Sequence, residues 1–303
     1  MGILNINDLH KSFGIIKVLD GLTMDVKEGS VFGFIGKNGA GKTTTMRTVL
    51  GLIKADGGSI TVCGDKVKYG QTATNSVIGY LPDVPAFYGF MRPMEYLKLC
   101  GEISGLDNTK IKAKSLELLD VVGLKDNNRK ITGFSRGMKQ RLGIAQALLV
   151  EPKLLICDEP TSALDPAGRK EVLDILSEVK GKTTVVFSTH ILSDVERICD
   201  TIAVLNNGKI ALSGTLSEIK SKHRQDVINI KFDDSAKSNK LSKLLVKMKI
   251  ESDIDGNDIT IKTSNIFKTE KEVLELLSNQ NLLPIKLEIA EPTLENLFLE
   301  VMQ

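Results

Sequence analysis

The stretch Gly36-Lys37-Asn38-Gly39-Ala40-Gly41-Lys42-Thr43 constrains the fold most, because its G-x-x-x-x-G-K-[ST] spacing works only between a strand and a helix. The apolar run Val31-Phe32-Gly33-Phe34-Ile35 before it reads as a buried parallel strand. Thr44 to Leu50 after it reads as a helix closed by Gly51. Glycines let successive backbone N–H groups curl around an anion, and the helix N-terminus adds the positive end of its dipole. In that frame Gly36, Lys37, Asn38, Gly39, Ala40, Gly41 and Thr44 cradle phosphates, while Lys42 brings an ammonium to the β- and γ-phosphates. Thr43 offers a hydroxyl to Mg²⁺. The sequence predicts a nucleoside triphosphate site.

Such a site needs an acidic element on a neighbouring strand. Leu154-Leu155-Ile156-Cys157-Asp158 is an apolar strand that delivers one carboxylate at its C-terminal end, and Glu159 follows at once. Adjacent carboxylates on extended chain point in different directions, so Asp158 is expected to orient Mg²⁺ or its water and Glu159 to polarise the attacking water. Thr183 to Phe187 is a further buried strand, and Asn206-Asn207-Gly208 is a hairpin signal between strands. Ile3 to Asp8 and Leu22 to Val26 read as paired strands with a turn at His10 to Gly14 between them. Strands alternating with helices predict a layered, mostly parallel α/β core.

From about residue 84 to 152 the period changes: Met94–Leu99, Ile111–Val122 and Arg136–Leu149, the last capped by Ser135, are amphipathic helices forming an inserted lobe. Past Lys222-His223-Arg224 the order becomes β-α-β-β-α-β, with strands over 227–232, 250–254, 259–262 and 285–289 and helices over 237–247 and 267–277. Two domains are therefore expected, 1–222 and a small ferredoxin-like α+β domain over 223–303. A last amphipathic helix, Leu294 to Val301, follows Pro292 and carries Leu294, Leu297, Phe298 and Val301 on one face.

Net charge is +2 over 303 residues, which argues for neither nucleic acid nor an anionic lipid surface as partner. The four cysteines show no metal spacing, and Cys157 and Cys199 read as buried thiols of a reducing compartment. No apolar run approaches the roughly 18 residues of a membrane span, and no leader is evident at the N-terminus. The chain is expected to be cytoplasmic, with any membrane association arriving through a partner.

Phe134-Ser135-Arg136-Gly137-Met138-Lys139-Gln140-Arg141-Leu142 resembles the signature motif of ABC ATPases, Thr161 to Asp165 resembles the D-loop, and His190 in Ser188-Thr189-His190 resembles the switch histidine. With the phosphate loop and Asp158-Glu159, five motifs stand in family order over residues 2–222. The resemblance implies a P-loop NTPase core with an inserted helical subdomain, and ATP and Mg²⁺ as its ligands. It implies Phe13 as the aromatic that stacks on adenine, Glu159 as base, and His190 as the group that holds the γ-phosphate and the attacking water. Ser135, Gly137 and Asp165 would act on the nucleotide of a second copy in an ATP-sandwich dimer. Arg136 and Met138 depart from the family's common LSGGQ, and Asp83 stands where the Q-loop glutamine is expected, which leaves a Mg²⁺ role at position 83 open. Glu291 to Leu299 resembles the ending of ABC-2 type exporter ATPases of the drug, lantibiotic and bacitracin-resistance group. That resemblance implies a separate membrane permease, whose coupling helix docks on the lobe near Val84 to Gly105. It also implies a peripheral place on the inner face of the membrane.

Overall fold

The structure, a computed structural model, describes residues 2–124, 129–222, 226–263, 265–290 and 294–301. The chain divides into two compact units after Leu216. The composition shift near residue 222 lies six residues further on, and His223 and Arg224 fall outside the described residues.

The first unit opens with β1 (Gly2–Phe13), β2 (Ile16–Lys27), β3 (Val31–Ile35), α1 (Lys42–Val49), β4 (Gly57–Val62), β5 (Asp65–Lys66) and β6 (Ile78–Leu81). Three lobe helices follow: α2 (Pro93–Ile103), α3 (Asn108–Val121) and α4 (Arg136–Leu148). It then completes its sheet with β7 (Leu154–Asp158), α5 (Pro166–Glu178), β8 (Thr184–Thr189), α6 (Leu192–Ile198), β9 (Thr201–Asn206) and β10 (Lys209–Thr215). The six-stranded sheet runs β10-β9-β3-β8-β7-β6, parallel except for β10. Strands β3, β7 and β8 are buried at every residue, as central strands of a sheet covered on both faces are. A second, antiparallel sheet runs β2-β1-β4-β5. Leu4, Ile6, Leu22 and Val26 of that sheet pack with Phe32, Phe34, Ile156 and Ala203 of the parallel one, and Met46 and Val49 of α1 join the same core.

The turn expected at His10 to Gly14 is instead the end of β1, and the chain reverses at Gly14-Ile15. The pairing of β1 with β2 slips register several times between Gly2 and Ser12, and Asp8 adopts a left-handed φ of 50°. Those bulges break the apolar–polar alternation that would have marked a longer strand. The hairpin at Asn207-Gly208 forms as expected, with φ of 48° and 75° in the mirror-image turn that two-residue hairpins favour. It is also a tie: Asp20 N donates to Gly208 O at 3.0 Å, and a Cβ on Gly208 would meet Val18 O at 2.7 Å.

Helix α7 (Leu216–Lys222) starts at the boundary, and the second unit continues with β11 (Asp226–Lys231), α8 (Ser235–Lys247), β12 (Ser252–Asp255), β13 (Asp258–Thr263), α9 (Ile266–Asn279), β14 (Lys286–Ala290) and α10 (Leu294–Val301). Its antiparallel sheet runs β12-β13-β11-β14, the split-βαβ order of a ferredoxin-like fold. Alternate residues Ile228, Ile230, Ile259 and Ile261 meet Leu241 and Leu245 of α8 and Val273 and Leu277 of α9. In α10, Leu294 and Leu297 are buried. Glu291-Pro292-Thr293 and the side chain of Val301 lie outside the described residues.

Candidate active site

The phosphate loop leaves the C-terminal end of β3 and enters α1 through Gly41, whose φ of 110° no other residue adopts without strain. A Cβ there would also lie 2.9 Å from Leu19 Cδ2. Lys42, the first residue of α1, is buried, and its Nζ donates to Gly36 O at 2.7 Å and to Lys37 O at 3.3 Å. The same ammonium lies 3.0 Å from Glu159 Oε1, and Glu159 Oε2 lies 2.9 Å from His190 Nδ1. Glu159 thus bridges Lys42 and His190.

Its neighbour turns the other way. Asp158 is buried at the end of β7 and accepts from Ser188 Oγ at 2.7 Å, while Glu159 N donates to Ser188 O and to Ser188 Oγ at 3.1 and 3.0 Å. Glu159 itself stands at a φ of 49°, which swings its carboxylate out of the strand and toward the loop. The divergence expected of adjacent carboxylates is realised, and Ser188 enforces it. Sequence reasoning missed Ser188, although it sits two residues before His190 at the end of the strand beside β7.

These groups face a cleft of 490 Å³ lined by Phe13, Val18, Asn38, Gly39, Gly41, Lys42, Thr43, Thr44, Asp83, Glu159, Ser162 and His190. Phe13 stands half exposed at the end of β1, with Lys11 Nζ 5.2 Å from its ring centre. Gly36, Lys37 and Ala40 serve through backbone: Ala40 N donates to Lys37 O at 3.1 Å. Asp83 lies at the rim, and its pKa is raised, chiefly by burial, with Asp158 and Glu159 adding to the rise and Arg136 opposing it. The hydroxyls of Thr45 and Thr48 bond to Gly41 O and Thr44 O, whereas Thr43 and Thr44 line the cleft. One hydroxyl and a buried carboxylate suit Mg²⁺, a hard cation that keeps waters and phosphate oxygens in its shell; among the described residues no three acidic, His or Cys side chains cluster as a closed cage.

Ser135, Gly137 and Asp165 do not join this cleft. They line a separate one of 340 Å³, together with Arg136, Met138, Arg141 and Leu164. Ser135 Oγ accepts from Met138 N at 3.2 Å and so caps α4; Asp165 Oδ1 accepts from Gly168 N at 3.3 Å and caps α5. A buried link between the loop after β7 and α6 was also not anticipated: Thr161 Oγ1 donates to Asp194 Oδ2 at 2.6 Å, and burial holds the Asp194 pKa above its ordinary value.

The profile of the ABC transporter family matches residues 19–162, and that of the C-terminal domain of DrrA1-3-like ATP-binding proteins matches residues 214–302. The bacitracin transport ATP-binding protein BcrA of Bacillus licheniformis is 33% identical over 306 residues, covering 99% of this chain and 97% of that one. The chain belongs to the ABC transporter ATP-binding proteins. The linearmycin resistance ATP-binding protein LnrL of Bacillus subtilis is 31% identical over 305 residues, covering 99% and 98% of the two chains. A solved ATP-binding subunit of an ABC transporter superposes with a TM-score of 0.65 at 33% identity, covering 73% of this chain and 92% of that structure. As a member of this family the chain is an ATPase that binds nucleotide.

Proposed function

We propose that the chain drives export through a separate membrane permease, and that two copies close on two ATP molecules, each phosphate cleft completed by the signature segment of the other copy. The observation that carries this reading is the Lys42–Glu159–His190 chain beside buried Asp158, with the signature residues in a cleft of their own. Thr43 and Asp158 would hold Mg²⁺, which supplies charge neutralisation at the phosphates, and Asp83 is close enough to the cleft to contribute through water. Phe13 offers the adenine a flat apolar face.

In hydrolysis a water oxygen bonds to the γ-phosphorus as the bridge to the β-phosphate breaks, and ADP departs with that electron pair. The Glu159 carboxylate takes the water's proton, and His190 holds both Glu159 and the γ-phosphate. Lys42 and the loop N–H groups stabilise the charge that gathers on the phosphate oxygens.

The lobe presents Val84, Tyr88 and Phe90 to solvent, with the Tyr88 ring tilted against Phe90 and edge-on to Tyr96. That apolar patch suits a permease coupling helix. Among the described residues no helix is long and apolar enough to cross a membrane, so such a partner would hold the chain at the inner membrane face.

Glu159→Gln keeps the shape and an acceptor for Lys42 but cannot take a proton. Phosphate release should fall by about 10²–10⁴-fold, with ATP binding retained and an ATP-dependent dimer accumulating on size exclusion. Unchanged turnover would remove Glu159 from the role of base, and a chain that stays monomeric with ATP would overturn the paired-copy reading. An adjoining reading frame that encodes no membrane-spanning protein co-purifying with this chain would overturn the exporter reading.

A further inference from the structure

Asp83 and Arg136 are the two departures from the family pattern that touch each other. They are 53 residues apart in sequence, yet Arg136 Nη2 lies 3.5 Å from Asp83 Oδ1. Asp83 lines the phosphate cleft and Arg136 lines the signature cleft, so this one ion pair spans both. Arg136 also breaks a local rule. It is the first residue of α4, where the helix dipole favours an anion and disfavours a cation. A residue that opposes its own helix needs a compensating contact, and Asp83 is the acid it reaches among the described residues.

The charges on the phosphate cleft explain what that contact does. The wall carries the carboxylates of Asp83 and Glu159 against the ammonium of Lys42, with the His190 ring beside Glu159. Glu159 is already answered by Lys42 and His190, which leaves Asp83 as the carboxylate facing an incoming polyphosphate. We infer that Arg136 is a positioning residue for Asp83: it neutralises that carboxylate and draws it toward the signature side, and so sets how tightly the phosphate cleft takes a nucleotide that carries no metal ion. This rests on the reading that nucleotide occupies that cleft. Because both side chains are about half exposed, the linkage is modest and weakens with salt.

The test is a double-mutant cycle on the full chain, read by equilibrium binding of ATP in EDTA at low salt, where no hydrolysis occurs. Arg136→Gln should weaken binding about three- to fivefold. In the Asp83→Asn background the same change should alter binding by less than about 1.5-fold, because there is no carboxylate left to neutralise. Arg136→Lys should recover most of the loss, and 0.5 M NaCl should shrink it. Both side chains are surface-exposed, and the unfolding midpoint of each variant confirms an intact fold. An equal loss in both backgrounds, or no loss in the wild-type background at low salt, overturns the inference while leaving the functional reading standing. A wild-type chain that binds no ATP in EDTA or in Mg²⁺ overturns the functional reading and the inference with it.

Discussion

The two clefts of the first unit use their polar groups in opposite ways. Around the phosphate loop the groups answer one another: Lys42 is held by two carbonyls and Glu159, Glu159 by His190, and Asp158 by Ser188. Around the signature segment two polar groups serve their own helices instead, Ser135 capping α4 and Asp165 capping α5. The first cleft is lined by side chains bonded to one another; the second is built around two helix starts. The difference teaches that the first cleft is held by side chains bonded to one another and the second by helix caps, with the Arg136–Asp83 pair as the contact between them.

The largest contrast should come from Lys42→Ala. Hydrogen bonds from a charged donor to phosphate contribute roughly 1.5–3 kcal/mol, so ATP affinity should drop about ten- to a hundredfold by calorimetry. The fold should weaken by about 3 kcal/mol as well, because Glu159 loses a buried counter-ion. Gly137→Ala attacks the second cleft and should split stability from function. A Cβ at Gly137 meets nothing nearer than 3.9 Å, and alanine within the first turn of α4 should stabilise the fold by about 0.5–1 kcal/mol. ATP binding by the dilute subunit should stay unchanged while turnover falls roughly tenfold, since a methyl group there obstructs only an approach from outside. Loss of ATP binding in that variant would erase the distinction between the clefts.

Phe13→Ala sharpens the phosphate cleft further. Removing a stacking face is worth about 1–3 kcal/mol per base, so affinity should drop five- to a hundredfold for ATP and much less for inorganic triphosphate. The smallest effect belongs to Asp194. Burial raises its pKa above the unfolded value of about 3.9, so the folded state holds the proton more tightly. That stabilisation is full below the unfolded pKa and is lost as pH climbs through the folded one. Asp194→Asn should therefore show a flatter decline of unfolding midpoint as pH rises above the unfolded value than the wild type; parallel curves would remove Asp194 from the titration.

What could be read from the sequence follows how local each signal is. The phosphate loop, the apolar strand ending in Asp158 and the hairpin at Asn207-Gly208 are each written within a dozen residues, and each forms where expected. The second unit was equally readable, because Ile228, Ile230, Ile259 and Ile261 alternate cleanly on a one-sided sheet. The end of β1 was hidden by bulges that spoil its period. Ser188 bonds across strands, Asp194 to a loop, and Arg136 to Asp83 across 53 residues; none leaves a local pattern. Such contacts exist only once the sheet order is set.

That order has a consequence in time. Strand β3 hydrogen-bonds to β8 and β9, and the Val18–Asp20 segment rests on Gly208. A nascent chain therefore carries its phosphate loop from residue 36 onward but cannot seat it until some 170 further residues have been made. With its strand neighbours so distant, closure of this sheet carries the loop entropy of high contact order. Chains cut short before β9 would display the whole motif and hold no nucleotide, so the site itself reports that the unit around it is complete.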